Sequence, residues 1–135
     1  MTAPMRIRRA ALRDFCESAL VRAGASPAHA AITAEALTEA DAFGVFTHGN
    51  KLLHGYLRRL KAGSFRSNIE PVVRREGPGW AVVDGNSVLG HVSGRFAMEV
   101  AIRKARQCGI AYVSTDYSNH FGAAGHYALQ AARAG

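Results

Sequence analysis

The chain has 135 residues, of which 48% are apolar, so it can bury one hydrophobic core and is too short for an array of domains. Lysine and arginine outnumber aspartate and glutamate by 17 to 10, which favours an anionic partner such as a carboxylate, a nucleotide phosphate or nucleic acid. Two isolated cysteines, Cys16 and Cys108, argue against a disulfide framework and fit a reducing cytoplasm. The first 16 residues lack the apolar stretch of a signal peptide or membrane span, so we expect a soluble protein.

The first part of the chain predicts three helices. Apolar residues at helical spacing predict the first helix over residues 10–23. Ser26 as N-cap and Pro27 as first helical residue predict a second helix that ends near Gly44. A third run, residues 49–63, ends at another glycine. We therefore expect a helical part over residues 8–63 of a single domain that spans residues 1–135.

The remaining residues, 68–135, predict an α/β part of the same domain. Valine-rich runs over residues 71–75 and 80–84 predict two strands on either side of a Gly77-Pro78 turn. A long helix follows and closes at Gly109, "IAYVST" predicts a short buried strand, and "GAAGHYALQAARAG" predicts a last helix.

This order of elements indicates an α/β fold in which N-terminal helices precede a small mixed sheet with helices. Three strands leave an open edge and uncovered apolar residues such as Val82, Ile110 and Tyr112. We expect a partner chain or downstream sequence to complete such a sheet, and a chain lacking that sequence to self-associate.

His120, in "DYSNHFGAAGH", lies between a predicted strand and a predicted helix. Ligands of α/β proteins bind at the ends of strands, and Gly122 would let a ligand approach the backbone closely. The free N–H groups at the start of the next helix suit an anion. The alternative is that His120 only hydrogen-bonds a loop carbonyl.

His48, in "FGVFTHGNK", has a matching position between a glycine break and a helix start. Thr47 precedes it as a helix cap or a hydroxyl ligand. Two imidazoles at the ends of elements could exchange protons in a reaction that reduces a carbonyl. An ordinary role in helix capping is the alternative for His48.

The other four histidines lack a supporting pattern. His54 and His126 each follow a candidate by six positions, which on one helix places them on a different face; His29 and His91 have no supporting context. With no H-E-x-x-H motif and no carboxylate at ligand spacing, we expect no metal site.

The glycines of "DGNSVLGHVSG" resemble a phosphate-binding loop only in spacing. His91 and Val92 stand where that loop requires lysine and a hydroxyl residue, and no G-x-G-x-x-G follows a strand. These glycines therefore predict a turn that leads into a helix.

Basic residues cluster at three places along the chain, around residues 6–9, 58–61 and 103–106. Neither an aromatic strand motif nor a recognition helix accompanies them, so we interpret them as solvated helix faces and expect no nucleic-acid partner. A non-catalytic basic module that binds nucleic acid or another partner remains the alternative function.

Three segments together resemble the N-terminal part of the type 2 malate/L-lactate dehydrogenase family: "EADAFGVFTHGNKLLHGYLRRLKAG", "DGNSVLGHVSG" and "STDYSNHFGAAGHYAL". The resemblance implies a homodimeric oxidoreductase that interconverts 2-hydroxy and 2-oxo acids with NAD or NADP. It also implies a cofactor-binding sheet unlike the Rossmann fold, of which this chain would be an incomplete part.

The resemblance implies site residues as well. His120 corresponds to the acid/base residue, and His48 to a residue that assists it. Thr47 stands where serine is usual, and Tyr56 matches a tyrosine near the substrate. Independently of the resemblance, the low-bulk segment beside His120 leaves room for a planar substrate or nicotinamide ring, which we expect Asn119 and nearby backbone groups to orient.

Two features depart from the family pattern. Leu52 stands where an arginine is often found, so we expect the substrate carboxylate to be bound differently. Family members continue beyond Gly135, where most cofactor contacts are expected, so we expect this chain alone to be inactive.

Overall fold

A computed structural model describes residues 6–135 and, over that range, contains five α-helices and three β-strands. The helices are α1 (Arg9–Arg22), α2 (Pro27–Ala42), α3 (Leu53–Lys61), α4 (Gly90–Cys108) and α5 (Ala124–Arg133). The strands are β1 (Val72–Gly77), β2 (Trp80–Asp84) and β3 (Tyr112–Asp116). Residues 1–5, part of the segment expected to lack a signal peptide, lie outside this range. No helix over residues 6–135 is long and apolar enough to cross a membrane. The predicted α/β class is confirmed.

The first two helices begin and end close to the predicted residues. α1 buries Cys16 and Leu20 against α2. The Ser26 Oγ accepts a hydrogen bond from the His29 N–H at 3.2 Å, and Pro27 occupies the first turn, where its missing N–H costs no hydrogen bond. Both local signals read from the sequence are therefore present.

The third helix starts later than predicted. Instead of a helix from Gly49, two short 3-10 turns, Phe46–His48 and Asn50–Leu52, precede α3. Asp41 causes the break, because its carboxylate accepts hydrogen bonds from both the backbone N–H and the side-chain amide of Asn50, at 3.0 and 2.7 Å. A carboxylate from α2 thus fixes the segment that a continuous helix would have occupied.

The three strands form one mixed sheet in the order β1-β2-β3. β1 and β2 are antiparallel and end as a tight hairpin in which Gly77 pairs with Trp80. β2 and β3 are parallel, and α4 makes the connection between them and packs on both. This strand-helix-strand unit places the end of β3, and hence the loop with His120, beside the start of α4.

β3 is exposed and not buried as its apolar run predicted, which agrees with the expectation that Ile110 and Tyr112 lie uncovered at an open edge. Val82, also expected to be uncovered, is half-buried. Tyr112 is 71% exposed and Ile110 just before it is 78% exposed. β3 pairs only with β2 among the described residues, so it lies at a sheet edge, and its apolar residues reflect strand propensity rather than burial on both faces.

One core cluster joins the helical part to the α/β part. Leu20 of α1 and Leu37 of α2 are fully buried in it, together with Val88 and Leu89 from the turn before α4. The start of α4 is therefore anchored by the helical part as well as by the sheet.

The loop that carries His120 packs directly on the N-terminal end of α4. The Asn119 side chain donates to the Val88 carbonyl at 2.9 Å, and the Ser93 and Ser118 hydroxyls are 2.9 Å apart. A Cβ atom on Gly90 would overlap the carbonyl oxygens of Asn119 and His120. Only glycine at position 90 leaves this loop its observed position.

We expect Gly90→Ala to lower the free energy of unfolding by about 1–3 kcal/mol, the usual effect of forcing atoms into a packed region. Urea denaturation measures it. Gly55→Ala is the matched control: no atom lies within 4 Å of its added Cβ, and alanine favours helix, so a gain of about 0.5–1 kcal/mol is expected. Equal effects of the two substitutions would contradict this account.

Candidate active site

The two histidines singled out from the sequence lie side by side. The ring centroids of His48 and His120 are 5.6 Å apart, and the ring planes are inclined by 21°. Both rings line one cavity of about 770 Å³ between the end of α2 and the start of α5. The structure thus brings the two candidate histidines into one cleft, while their chemical roles stay predictions.

His120 is held from behind by Tyr56. The Tyr56 hydroxyl lies 2.7 Å from the His120 Nδ1, and Tyr56 itself is 4% exposed. Burial raises the pKa of Tyr56 to about 12, so the phenol keeps its proton at neutral pH. The His120 Nε2 has no hydrogen-bond partner over residues 6–135, which leaves it available to a bound molecule.

His48 is held in a similar way by its neighbour. The Thr47 hydroxyl lies 3.0 Å from the His48 Nδ1, and the following Asn50 is fixed by Asp41. The Cys16 thiol donates to the Asn50 side-chain oxygen at 2.6 Å, and burial raises the pKa of this thiol to about 11, so it stays protonated. Contacts from α1 and α2 therefore fix the turn that carries His48.

A third imidazole, His126, also lines the cavity. Its Nδ1 lies 2.5 Å from a carboxylate oxygen of Glu39, a residue of α2 whose side chain is 4% exposed. Sequence reasoning excluded His126 because six positions separate it from His120 on one helix. That argument did not apply, because α5 begins at Ala124 and His120 lies in the preceding loop.

A fourth imidazole, His91, lies directly behind the site. It is 1% exposed, packs edge-on against Tyr56 with centroids 5.2 Å apart, and has neither ring nitrogen hydrogen-bonded over residues 6–135. Burial, and to a lesser extent His120 and His126, lowers the pKa of His91 to about 3. His91 is therefore neutral at physiological pH. Its burial gave no signal in the sequence.

Gly122, two residues after His120, packs closely against the His91 ring. Gly122 has a φ of 81°, and a Cβ atom there would lie 2.6 Å from the His91 Nε2. Both the backbone conformation and the lack of space require glycine. In the structure the group close to Gly122 is the His91 side chain, and the predicted approach of a ligand to Gly122 stays a prediction.

The five residues predicted for the site occupy three kinds of position. His48 and His120 line the cavity. Thr47 and Tyr56 contact these rings from outside the lining. Asn119 faces a neighbouring groove between α4, β3 and α5, and its amide holds the loop to Val88.

The rest of the cavity wall is apolar or small. Phe43, Val45, Phe121 and Leu129 supply bulk, and residues 122–125 supply almost none. Over residues 6–135, no three histidine, cysteine or acidic side chains are placed to hold a metal ion.

The basic cluster over residues 103–106 was interpreted as a solvated helix face, but Lys104 within it is buried. Lys104 is 7% exposed, donates to the Gly77 carbonyl at 2.7 Å and pairs with Glu76 at 2.8 Å. The lysine lowers the pKa of the Glu76 carboxyl through this hydrogen bond and its charge. Lys104 thus joins α4 to β1 and is not presented to a partner.

Paired imidazoles beside an apolar cavity, on a mixed α/β scaffold, are the kind of site that proton-transfer enzymes use. The sequence profile of the malate/L-lactate dehydrogenase family matches residues 7–135. The chain belongs to this family.

Individual relatives agree with this assignment. The chain is 39% identical over 133 residues to malate dehydrogenase of Pyrococcus horikoshii, covering 97% of this chain and 36% of that protein. It is 38% identical to ureidoglycolate dehydrogenase (NAD(+)) of Escherichia coli, covering 97% of this chain and 38% of that protein. The chain thus spans little more than a third of the length of these relatives.

Solved structures show the same fold. The structure of the Pyrococcus horikoshii malate dehydrogenase superposes with a TM-score of 0.91 at 38% identity, covering 96% of this chain and 37% of that one. Malate dehydrogenase from Entamoeba histolytica superposes with a TM-score of 0.92 at 33% identity, covering 97% and 37%.

The buried His91 predicts a pH dependence of stability. Its pKa is lower in the folded state than the value of about 6.5 expected in the unfolded chain, so the unfolded state binds more protons between pH 6.5 and about 3. The contribution of neutral His91 to the free energy of unfolding is fully present above about pH 6.5. It is lost as the pH falls, by up to about 1.4 kcal/mol per pH unit.

Urea denaturation at a series of pH values tests this expectation. His91→Gln, which does not titrate, should flatten the loss of stability between pH 6.5 and 4, whereas His54→Gln at an exposed position should not. A slope that is the same in the wild type and in His91→Gln would contradict the expectation.

Proposed function

We propose that the protein is an oxidoreductase that interconverts 2-hydroxy acids of the malate or lactate kind and 2-oxo acids, with NAD or NADP as cofactor. One observation carries the proposal: the His48 and His120 rings stack at the cavity, and His120 has one nitrogen on Tyr56 and the other without a partner over residues 6–135. Membership of a dehydrogenase family supports the same chemistry.

In this proposal His120 is the general acid and base. When the 2-oxo acid is reduced, the His120 Nε2 donates a proton to the carbonyl oxygen, and in the reverse direction it accepts the hydroxyl proton. In the imidazolium, and in the neutral ring left when Nε2 gives up its proton, Nδ1 keeps its hydrogen and donates it to the Tyr56 oxygen, so the ring keeps its orientation in both states. His48, stacked on it, assists at the substrate.

The cavity fits the nicotinamide ring of the cofactor. Residues 122–125 form a wall with little side-chain bulk, and Phe43, Val45 and Phe121 offer apolar surface to a flat ring. When bound there, the nicotinamide would supply or accept the hydride. These residues of the chain would hold the ring and exclude water from it.

In this proposal Thr47 and Asn119 position the two histidines. Thr47 orients His48 through its hydroxyl, and Asn119 holds the loop of His120 in place. Direct contacts of Thr47, Tyr56 and Asn119 with the substrate remain predictions from the sequence. So do a homodimer, a cytoplasmic location and the absence of a nucleic-acid partner.

His120→Gln tests the proposal in the protein at its natural length. We expect kcat for oxidation of a 2-hydroxy acid by NAD+ or NADP+ to fall at least about 100-fold, the usual scale for loss of a general acid or base, with a smaller change in KM. Absorbance of the reduced cofactor follows the reaction.

His54→Gln is the matched control, since it removes an exposed imidazole from α3. It should leave both constants unchanged. Near wild-type kcat in His120→Gln would contradict the assigned role. Failure of the wild type to oxidise L-lactate, L-malate and other 2-hydroxy acids would contradict the proposed function itself.

A further inference from the structure

We propose that His126, paired with Glu39, binds the carboxylate of the acid substrate. The inference rests on the proposed function, because it assigns a binding group within the same cavity. It starts from the lining of this cavity, because a charged donor binds a carboxylate most strongly. Over residues 6–135, the lining side chains able to carry a positive charge are His48, His120 and His126.

The hydrogen-bond partners separate these three imidazoles. The Nδ1 atoms of His48 and His120 each face a neutral hydroxyl, whereas that of His126 faces the carboxylate of Glu39. Because a carboxylate accepts and cannot donate, the His126 Nδ1 must carry a hydrogen. This leaves Nε2, which has no partner over residues 6–135, and in the imidazolium form that atom is a second charged donor.

His120 cannot serve both purposes at once. Its Nε2 exchanges a proton with the reacting oxygen in the proposed reaction, so a carboxylate held by the same atom would block that exchange. His126 has no part in the proton transfer and can keep a fixed donor toward the carboxylate throughout.

The charges around Glu39 allow a substrate carboxylate to bind near this acidic side chain. Its other oxygen lies 3.3 Å from an Arg133 nitrogen and 3.9 Å from an Arg9 nitrogen. Two guanidinium groups therefore balance one buried carboxylate, and the cluster is positive even with a neutral His126. The approach of a substrate carboxylate adds attraction rather than repulsion.

His126→Gln in the protein at its natural length tests the inference. We expect KM for L-lactate, and the inhibition constant of oxamate, to rise about 10- to 100-fold through loss of a charge-assisted hydrogen bond. Both kcat and the KM of the cofactor should stay within about threefold. His54→Gln, the same change at an exposed site, should alter none of these constants.

The outcomes separate the two proposals. If the wild type turns over 2-hydroxy acids and His126→Gln leaves KM unchanged, the role of His126 alone is overturned. A parallel loss of kcat and of cofactor binding also overturns it, because that pattern indicates a structural role. A wild-type protein without turnover overturns the proposed function and this inference with it.

A measurement on the wild type tests the inference without requiring that the His126→Gln variant folds. Nitrogen NMR of the histidine side chains should show that saturating oxamate shifts the His126 Nε2 resonance while Nδ1 stays bonded to Glu39. No shift of His126 at a concentration that saturates the site would overturn the inference.

Discussion

The packing of the loop over residues 117–122 onto the N-terminal end of α4 determines most of what surrounds the cavity. Asp84 and Asp116 end parallel, paired strands, and the Gly85 N–H then donates to the Asp116 carbonyl at 2.8 Å. The Ser87 N–H donates to the Tyr117 carbonyl at 2.9 Å, which continues the pairing past the strands. These bonds hold two irregular segments together where the sheet ends. Because Val88 and Leu89 are buried in the main core, the hydrophobic cluster also fixes the loop.

Four imidazoles lie close together, and their partners give each a different character. His48 and His120 face hydroxyls, which can donate or accept, so their rings can gain or lose a proton without losing the bond. His126 faces a carboxylate, which accepts only. His91 faces no polar partner over residues 6–135 and stays neutral because charging it would require a charge in a dry interior. The same side chain thus serves different purposes according to one neighbouring atom.

The sequence predicted correctly those features that depend on interactions between residues close together along the chain. Helix ends at Ser26 and Gly109 and the strand over residues 80–84 followed from caps, glycines and β-branched runs. His48 and His120 were singled out because each lies at the end of an element, and the structure places both at one cavity. What the sequence could not supply depends on contacts across the fold. The break before α3 comes from Asp41 on another helix, and the exposure of β3 comes from its place in the sheet. The contact of His126 with Glu39 joins residues 87 positions apart.

The long separations along the chain have a consequence for how the cavity forms. Tyr56 and His120 are 64 residues apart, and Glu39 and His126 are 87 apart. Contacts between such distant residues require closure of large loops, whose entropic cost must be met before the contacts contribute stability. A nascent or partly folded chain with its helices already formed would still have no cavity. The imidazoles therefore acquire their distinct hydrogen-bond partners only when the chain has completed its tertiary structure.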